Sequence, residues 1–515
     1  MRKLEIIKNV GSSWFSLGLN ILVGIFLSPF ILHRLGDSAY GIWVLIFSIT
    51  GYYGLFDLGI RSSVVRYVSK FTATGESEKL NRLVNTSLWS YTLIGAVALL
   101  ITFVGSSYVD SLFKIPPEFL TTARWLFLMV GASVSLGFPL GIFSGILEGL
   151  QRFYFLNVTN VISSVLRAVL IVVALQHGYG LLTVAVITVI LPLLISILRA
   201  AITLRILPLT FHLKYFDRVS LREMASYSSA TFVVMIAFKL RFKTDELVIG
   251  AFLSSTAITY FSIGDRLLDY ASEVVSSLAQ IFVPWSSQSE AKGDMNGLRK
   301  MFVLGNRACA LIIFPISLIL LILGKSVIQA WVGAKYVSTS YPVLVVLCVP
   351  MTFMLAQGAS PRILFGIAKH RTLSWVVAIE AVTNLVLSII LVSPLGIIGD
   401  ALGTAIPLTV TALFFFPRHL CRVLDMRIRT FFREAYLLPL ALCAPLVPVL
   451  FGLQHWYVAR NYVQLAGQLL IAGAVYGLAL LWAHRAGHLL RARDLIPAEA
   501  ASVLAEGPPS EFAEP

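Results

Sequence analysis

Solidly apolar runs recur along this chain, separated by short stretches of Arg, Lys, Asp, Glu, Gly and Pro. A helix rises about 1.5 Å per residue, so a run of about 20 apolar residues crosses the hydrocarbon core of a bilayer. The runs do not alternate apolar with polar positions, which argues against the strands of a membrane barrel. The pattern predicts about fourteen spans, near 13–33, 41–60, 86–108, 124–146, 155–176, 181–203, 224–250, 257–283, 301–324, 342–364, 373–393, 399–416, 435–453 and 463–483. Beyond Arg491 and Arg493 the chain turns to Ala, Glu and Pro without an apolar period, the composition of a disordered tail.

The pattern repeats. Leu35-Gly-Asp-Ser-Ala-Tyr-Gly-Ile-Trp43 lies over Leu253-Ser-Ser-Thr-Ala-Ile-Thr-Tyr-Phe261, an offset of about 218 residues, the length of one six-span unit. Gly75-x4-Leu80 lies over Gly293-x4-Leu298 at the same offset. Leu147-Glu-Gly149 lies over Leu364-Phe-Gly366, one residue out of step. Six spans are an even number, so both copies share one orientation and the repeat is parallel. The expected organisation is an all-α polytopic membrane protein. It has lobes at 1–212 and 213–430, two further helices in 431–485, and a cytoplasmic tail over 486–515.

Composition agrees. Of 515 residues, 57% are hydrophobic and 13% charged, where a soluble domain carries roughly twice that charged fraction. The net charge of +14 is spread over many short loops, which speaks for topology and not for nucleic acid. With the N-terminus inside, about 27 Lys and Arg fall in inside loops and about 6 outside, so both termini are expected in the cytoplasm. Arg2, Lys3 and Lys8 precede the first run without a small-residue cleavage site, the pattern of a retained helix. Cys309, Cys348, Cys421 and Cys443 lie in or beside apolar runs without metal or redox spacing. The sequence has no Walker A loop, no His-rich metal motif and no nucleophile–base constellation, so neither an enzyme nor a bound cofactor is expected.

The candidate chemistry is charge at membrane depth, where an ionised side chain costs at least a few kcal/mol and needs a partner, water or a function. Lys239, Arg241, Lys243, Asp245 and Glu246 cluster in the seventh span, over positions 21–28 of the first. At 100° per residue Lys239 and Lys243 share a face with Glu246, while Arg241 and Asp245 have the i,i+4 spacing of a structural ion pair. Asp265, Arg266, Asp269 and Glu273 form a stripe on the eighth span, and the two stripes predict a hydrated cavity between bundles. Ion pairs that merely fix helix packing are the alternative. Arg167 is alone in its span, with Asn384 placed over it by the repeat, and Asp57 is followed by Arg61. Gly137, Gly141, Gly145 and Gly149 form a small-residue face that predicts close helix packing, with a hinge as the alternative. Tyr40, Trp43, Tyr52, Tyr53, Tyr260 and Tyr270 are expected as interfacial anchors, with sugar stacking the rival role.

With these residues in view, the chain resembles the polysaccharide flippases (Wzx-type O-antigen transporters and related exporters). Their superfamily also holds multidrug-and-toxin extruders and lipid II flippases. The likeness rests on LGDSAYGIW at 35–43, DLGIRSSVVRY at 57–67, GESEKLNRLVNTSL at 75–88 and DELVIGAFLSSTAITYFSIGDRL at 245–267. It implies two six-helix lobes around a central cavity with two added helices, and alternating access. It implies a substrate of undecaprenyl-pyrophosphate-linked oligosaccharide carried from the inner to the outer leaflet of the bacterial inner membrane. Polysaccharide polymerase and chain-length proteins are the partners that fit such a role. On that reading Lys239, Lys243, Arg266 and Arg167 meet the head group. Asp265, Asp269, Glu273 and Asp57 pair them, bind sugar hydroxyls or couple to H⁺ or Na⁺. A cation-coupled multidrug extruder is the alternative and would carry a more acidic cavity. A membrane glycosyltransferase would need a large outside loop, and a scaffold would not need charge at mid-depth.

Overall fold

The computed structural model describes residues 3–224, 244–367, 369 and 371–487. Among these, helices fill the chain in the order the apolar pattern predicts. The first half comprises α1 (Lys3–Leu35), α2 (Asp37–Gly51), α3 (Ile60–Ala73), α4 (Ser77–Ser106), α5 (Leu120–Gly149), α6 (Phe153–Gln176) and α7 (Leu181–Ile206). The second comprises α8 (Asp245–Phe252), α9 (Ser255–Ala279), α10 (Phe282–Ala291), α11 (Met295–Trp331), α12 (Val337–Ala356), α13 (Ala359–Gly366) and α14 (Arg371–Val410). Then come α15 (Phe416–Val423), α16 (Ile428–Cys443), α17 (Leu446–Trp456) and α18 (Tyr462–Arg485).

Among the described residues, eleven stretches are long and apolar enough to cross a membrane. One, Thr372–Val423, is a kinked pair, because Gly396 leaves helical geometry at φ 60°. The charged stripe keeps α9 below the apolar threshold, although its 25 residues would reach across. Residues 225–243 of the predicted span 224–250 lie outside the described residues. Leu93, Leu100, Phe103 and Leu470 are exposed, as lipid-facing positions are.

Helix boundaries carry the repeat at backbone level. α2 and α9 begin 218 residues apart, as do α4 and α11, and α6 and α14. Gly75 and Gly293 both take positive φ, 71° and 67°, at the turn before α4 and α11, a conformation that glycine adopts without a Cβ penalty. The out-of-step match is explained by α5 and α13, which end at Gly149 and Gly366, 217 apart. One correction follows. The equal starts of α6 and α14 put Leu385 over Arg167, not Asn384.

The chain divides into two compact units, Met1–Ser262 with Val377–Asp400, and Ile263–Val376 with Ala401–Pro515. In the first, Ile60, Val64 and Val68 of α3 pack on Leu80, Leu83 and Val84 of α4 and Ile142 and Ile146 of α5. In the second, Leu323 and Val327 of α11 bury Leu446 and Leu450 of α17 and Leu465 of α18, which attaches the two C-terminal helices.

Candidate functional site

α2 does not run on into α3. It tightens into a 3₁₀ turn at Tyr52–Asp57 and breaks at Leu58 and Gly59, both with positive φ. The break aims Asp57 and Arg61 toward an open cavity of about 610 Å³ lined by α2, α4, α5, α6 and α7 within the first unit. Tyr91 of α4 donates its hydroxyl to Asp57. Arg61 donates from Nη2 to Glu148 Oε2 of α5 at 3.1 Å. Half-buried Arg167 of α6 lines the same space, and among the described residues no carboxylate bonds its guanidinium. Thr188 of α7 also lines it, and its buried Oγ1 has no hydrogen-bond partner among the described residues. Two guanidinium groups, one hydroxyl-bound carboxylate and an unused hydroxyl suit an anion with hydroxyls around it, since Arg presents its donors as a planar fork.

Arg199 sits nearby but is fully engaged. Nε donates to Thr159 Oγ1 at 2.9 Å and Nη2 to Asn160 Oδ1 at 2.7 Å, so it ties α7 to α6. A polar track runs along α1 and α6 as well. Asn157 donates to Ser12 and Ser13, and Ser164 donates to Asn20.

The glycine face divides. A Cβ on Gly149 would meet Val65 O at 2.8 Å, and one on Gly145 would meet Val64 at 3.4 Å, so these two pack on α3. Gly137 and Gly141 have nothing within 4 Å and line the cavity. Packing thus accounts for half of the stripe, and the other half keeps space open. Of the aromatic cluster, Tyr40 and Tyr53 lie inside the fold, 8% and 5% exposed, and the Tyr53 hydroxyl lies 2.9 Å from Thr102 Oγ1. Tyr53 thereby ties the turn after α2 to α4.

The seventh-span cluster is only partly visible. Lys239, Arg241 and Lys243 lie outside the described residues, and with them the proposed Arg241–Asp245 pair. Asp245 and Glu246 open α8 and are 6% and 5% exposed. α8 is pinned at both ends. Lys114 Nζ donates to Phe252 O at 2.6 Å, and Thr244 Oγ1 lies 3.0 Å from the Tyr52 hydroxyl at the far end of α2. α2 is 15 residues long, about 22 Å, so both carboxyls lie deep among helices and not in a surface loop.

Where the repeats approach each other, Ser38 Oγ lies 3.0 Å from Thr256 Oγ1, residues 218 apart in sequence. Thr259 donates to Asp37 O at 2.7 Å, and Tyr260 to Asp37 Oδ2 at 3.3 Å. Gly41 makes the crossing possible, because a Cβ there would fall 1.7 Å from Ser255 O. In the second unit, Asp265, Arg266, Asp269 and Glu273 follow one side of α9, with Arg266 Nη1 3.6 Å from Asp269 Oδ2. Glu380, Asn384 and Asp400 of α14 are buried as well, at 3%, 1% and 0% exposure. Among the described residues no group of three or more His, Cys, Asp or Glu could hold a metal ion.

The sequence reading placed Asp57 and Arg167 in a site and missed Arg61, Tyr91, Glu148 and Thr188. Tyr91, between Ser90 and Thr92, and Thr188, a single polar residue in an apolar run, gave no signal. Arg61 was legible only as a charge in an inside loop.

Helices with a parallel repeat and a polar cavity define a multi-pass α-helical membrane protein. A family model described as polysaccharide biosynthesis protein matches residues 6–290, more than half of the chain, and the chain belongs to that family. It is 22% identical over 416 residues to a putative O-antigen transporter of Shigella flexneri, covering 80% of this chain and 96% of that protein. It is 24% identical over 433 residues to an uncharacterized membrane protein, EpsK, of Bacillus subtilis, covering 81% and 83%. In fold it is similar to the lipid II flippase MurJ in an inward closed conformation, at TM-score 0.69, 18% identity and coverage of 93% and 99%. An inward-facing multidrug resistance MATE family transporter of the MOP superfamily gives TM-score 0.68 at 15% identity, covering 81% and 95%. The family match and the O-antigen relative bear out the likeness to polysaccharide flippases read from the motifs.

Proposed function

We propose that this protein flips an undecaprenyl-pyrophosphate-linked oligosaccharide from the cytoplasmic to the periplasmic leaflet for surface polysaccharide synthesis. The observation that carries the reading is the first-unit cavity, where Arg61 and Arg167 stand beside unused hydroxyl capacity in a chain of the polysaccharide biosynthesis family. A pyrophosphate needs forked cationic donors, and a sugar needs hydroxyl and carboxylate partners. Lys239, Lys243 and Arg266 join as head-group contacts from the second repeat, with Asp265, Asp269, Glu273 and Asp57 pairing them or coupling transport to H⁺ or Na⁺. The lobes are 1–212 and 213–430, both termini are cytoplasmic, and the protein sits in the inner membrane as a transporter and not an enzyme. Two arginines in the cavity weigh against the multidrug extruder.

Deleting the gene should abolish the surface polysaccharide and leave its lipid-linked repeat to accumulate inside. Arg167→Gln and the double Lys239→Ala/Lys243→Ala should insert normally and fail to restore display. Normal display from Arg167→Gln would remove the cavity from the mechanism, and an unchanged polysaccharide in the deletion would overturn the substrate.

A further inference from the structure

The bend between α15 and α16 carries Arg418, Arg422, Arg427, Arg429 and Arg433, all exposed. It lies where two membrane-spanning stretches, Thr372–Val423 and Ile428–Trp456, end on the same side. Other basic groups in this corner serve the fold. Arg299 donates to Leu424 O at 2.6 Å and to Asp425 at 3.1 Å, and Arg307 donates twice to Glu434 O. Arg418 donates to Phe414 O and stacks on that ring. Arg422, Arg427, Arg429 and Arg433 form no ion pair among the described residues; of the two carboxylates in this corner, Asp425 is held by Arg299 and the exposed Glu434 is the only other one.

Exposed arginines alone are ordinary at a membrane surface. A second observation sets these apart. An apolar groove of about 280 Å³ opens beside them between α11, α12 and α16, lined by Phe432, Tyr436 and Leu440 together with Leu413 from the turn before α15. Phe432 of this lining is 38% exposed, and Phe414 and Ile428 of the same bend are exposed too, at 53% and 37%. Cations at head-group level beneath a narrow apolar groove match an anionic amphiphile with an acyl chain. We infer that this bend is a docking site for an anionic phospholipid of the bilayer, its phosphate held by Arg422, Arg427, Arg429 and Arg433 and one acyl chain lying along the groove.

The full chain in nanodiscs, with and without phosphatidylglycerol, tests this. Native mass spectrometry should show phosphatidylglycerol, and not phosphatidylcholine, retained on the protein, with a higher melting temperature in its presence. Changing one arginine to Gln should weaken retention roughly fivefold, the loss of one cation at an anionic surface. The fourfold Gln variant should lose both retention and the thermal shift, and the fourfold Lys variant should keep most of both. Equal retention by the fourfold Gln variant overturns the proposal. Retention that emerges only after Glu499, Glu506, Glu511 and Glu514 are changed to Gln overturns it in favour of the chain's own acidic tail. Displacement of phosphatidylglycerol by a polyprenyl phosphate at equal concentration overturns it in favour of the transported lipid.

Discussion

Asp57 shows what a single residue gains from its surroundings. In sequence it is an acid near a span end, equally suited to capping and to solvent. In the fold it accepts from the Tyr91 hydroxyl and shares a cavity with Arg61 and Arg167. Tyr91→Phe removes a hydrogen bond to a charged group, which should cost about 1.5–3 kcal/mol in a denaturant titration of the purified protein. An unchanged midpoint would mean that water replaces the phenol. Gly141 makes the opposite kind of prediction. Its missing side chain leaves space and not a contact. Gly141→Leu should therefore fold with normal yield while polysaccharide display falls, whereas Gly149→Leu, against Val65 O and Val68, should lose folded yield. Equal yields from the two variants would show that both glycines face open space.

At the scale of elements, the sequence was most legible where a period is long. Spans of 24 to 37 residues such as α6 and α11 announce themselves by apolar length alone. Breaks were harder to see. The α2–α3 break depends on Leu58 and Gly59 taking positive φ, and no residue type at Leu58 signals that. The glycine stripe misled for a physical reason: four-residue spacing sets a face, and a face that turns along a helix can pack at one end and open at the other. A direct check on the element contacts is Ser38→Cys/Thr256→Cys. The hydroxyl oxygens are 3.0 Å apart, so oxidation should join the two chain halves after proteolytic cleavage between them, and a reductant should free them. Failure to crosslink would remove the α2–α9 contact. The connection after α7 adds a pH dependence. Ser220, by hydroxyl and amide, and the Val219 amide hold Asp217 below its ordinary value of 3.8. Because the folded value is the lower one, the stabilisation is present above about 3.8 and is lost as pH falls through the folded value. Hydrogen exchange at 219–224 should therefore quicken in acid, and Asp217→Asn should abolish the pH dependence.

At the scale of the whole molecule, the repeat was the most legible feature of the sequence, since the offset near 218 read from short motifs recurs in the helix starts of α2 and α9, α4 and α11, and α6 and α14. The site was less legible because it is assembled from positions on α4, α5, α6 and α7 with no common spacing. The repeats also differ chemically where they are equivalent in place. At the helix-start offset of 218, Asp57, Arg61 and Tyr91 correspond to Val275, Ala279 and Cys309, all buried. At these three positions the first repeat lines a polar cavity where the second buries small apolar side chains and a thiol.

The hydroxyl pair at Ser38 and Thr256 joins equivalent positions of the two repeats. Equivalent residues of a parallel repeat meet only near a local twofold, where each position faces its own counterpart. In a protein made from two identical copies of the half-length chain, that position would touch itself. A carboxylate or an ammonium would repel its twin there, whereas a hydroxyl both donates and accepts and so bonds to a second hydroxyl. Ser38 and Thr256 still satisfy that self-matching condition. Their neighbours Asp37 and Ser255 do not, since two aspartates at that crossing would repel. At this contact equivalent positions thus match each other by chemistry as well as by place, and the pair next to them matches only because the two copies differ.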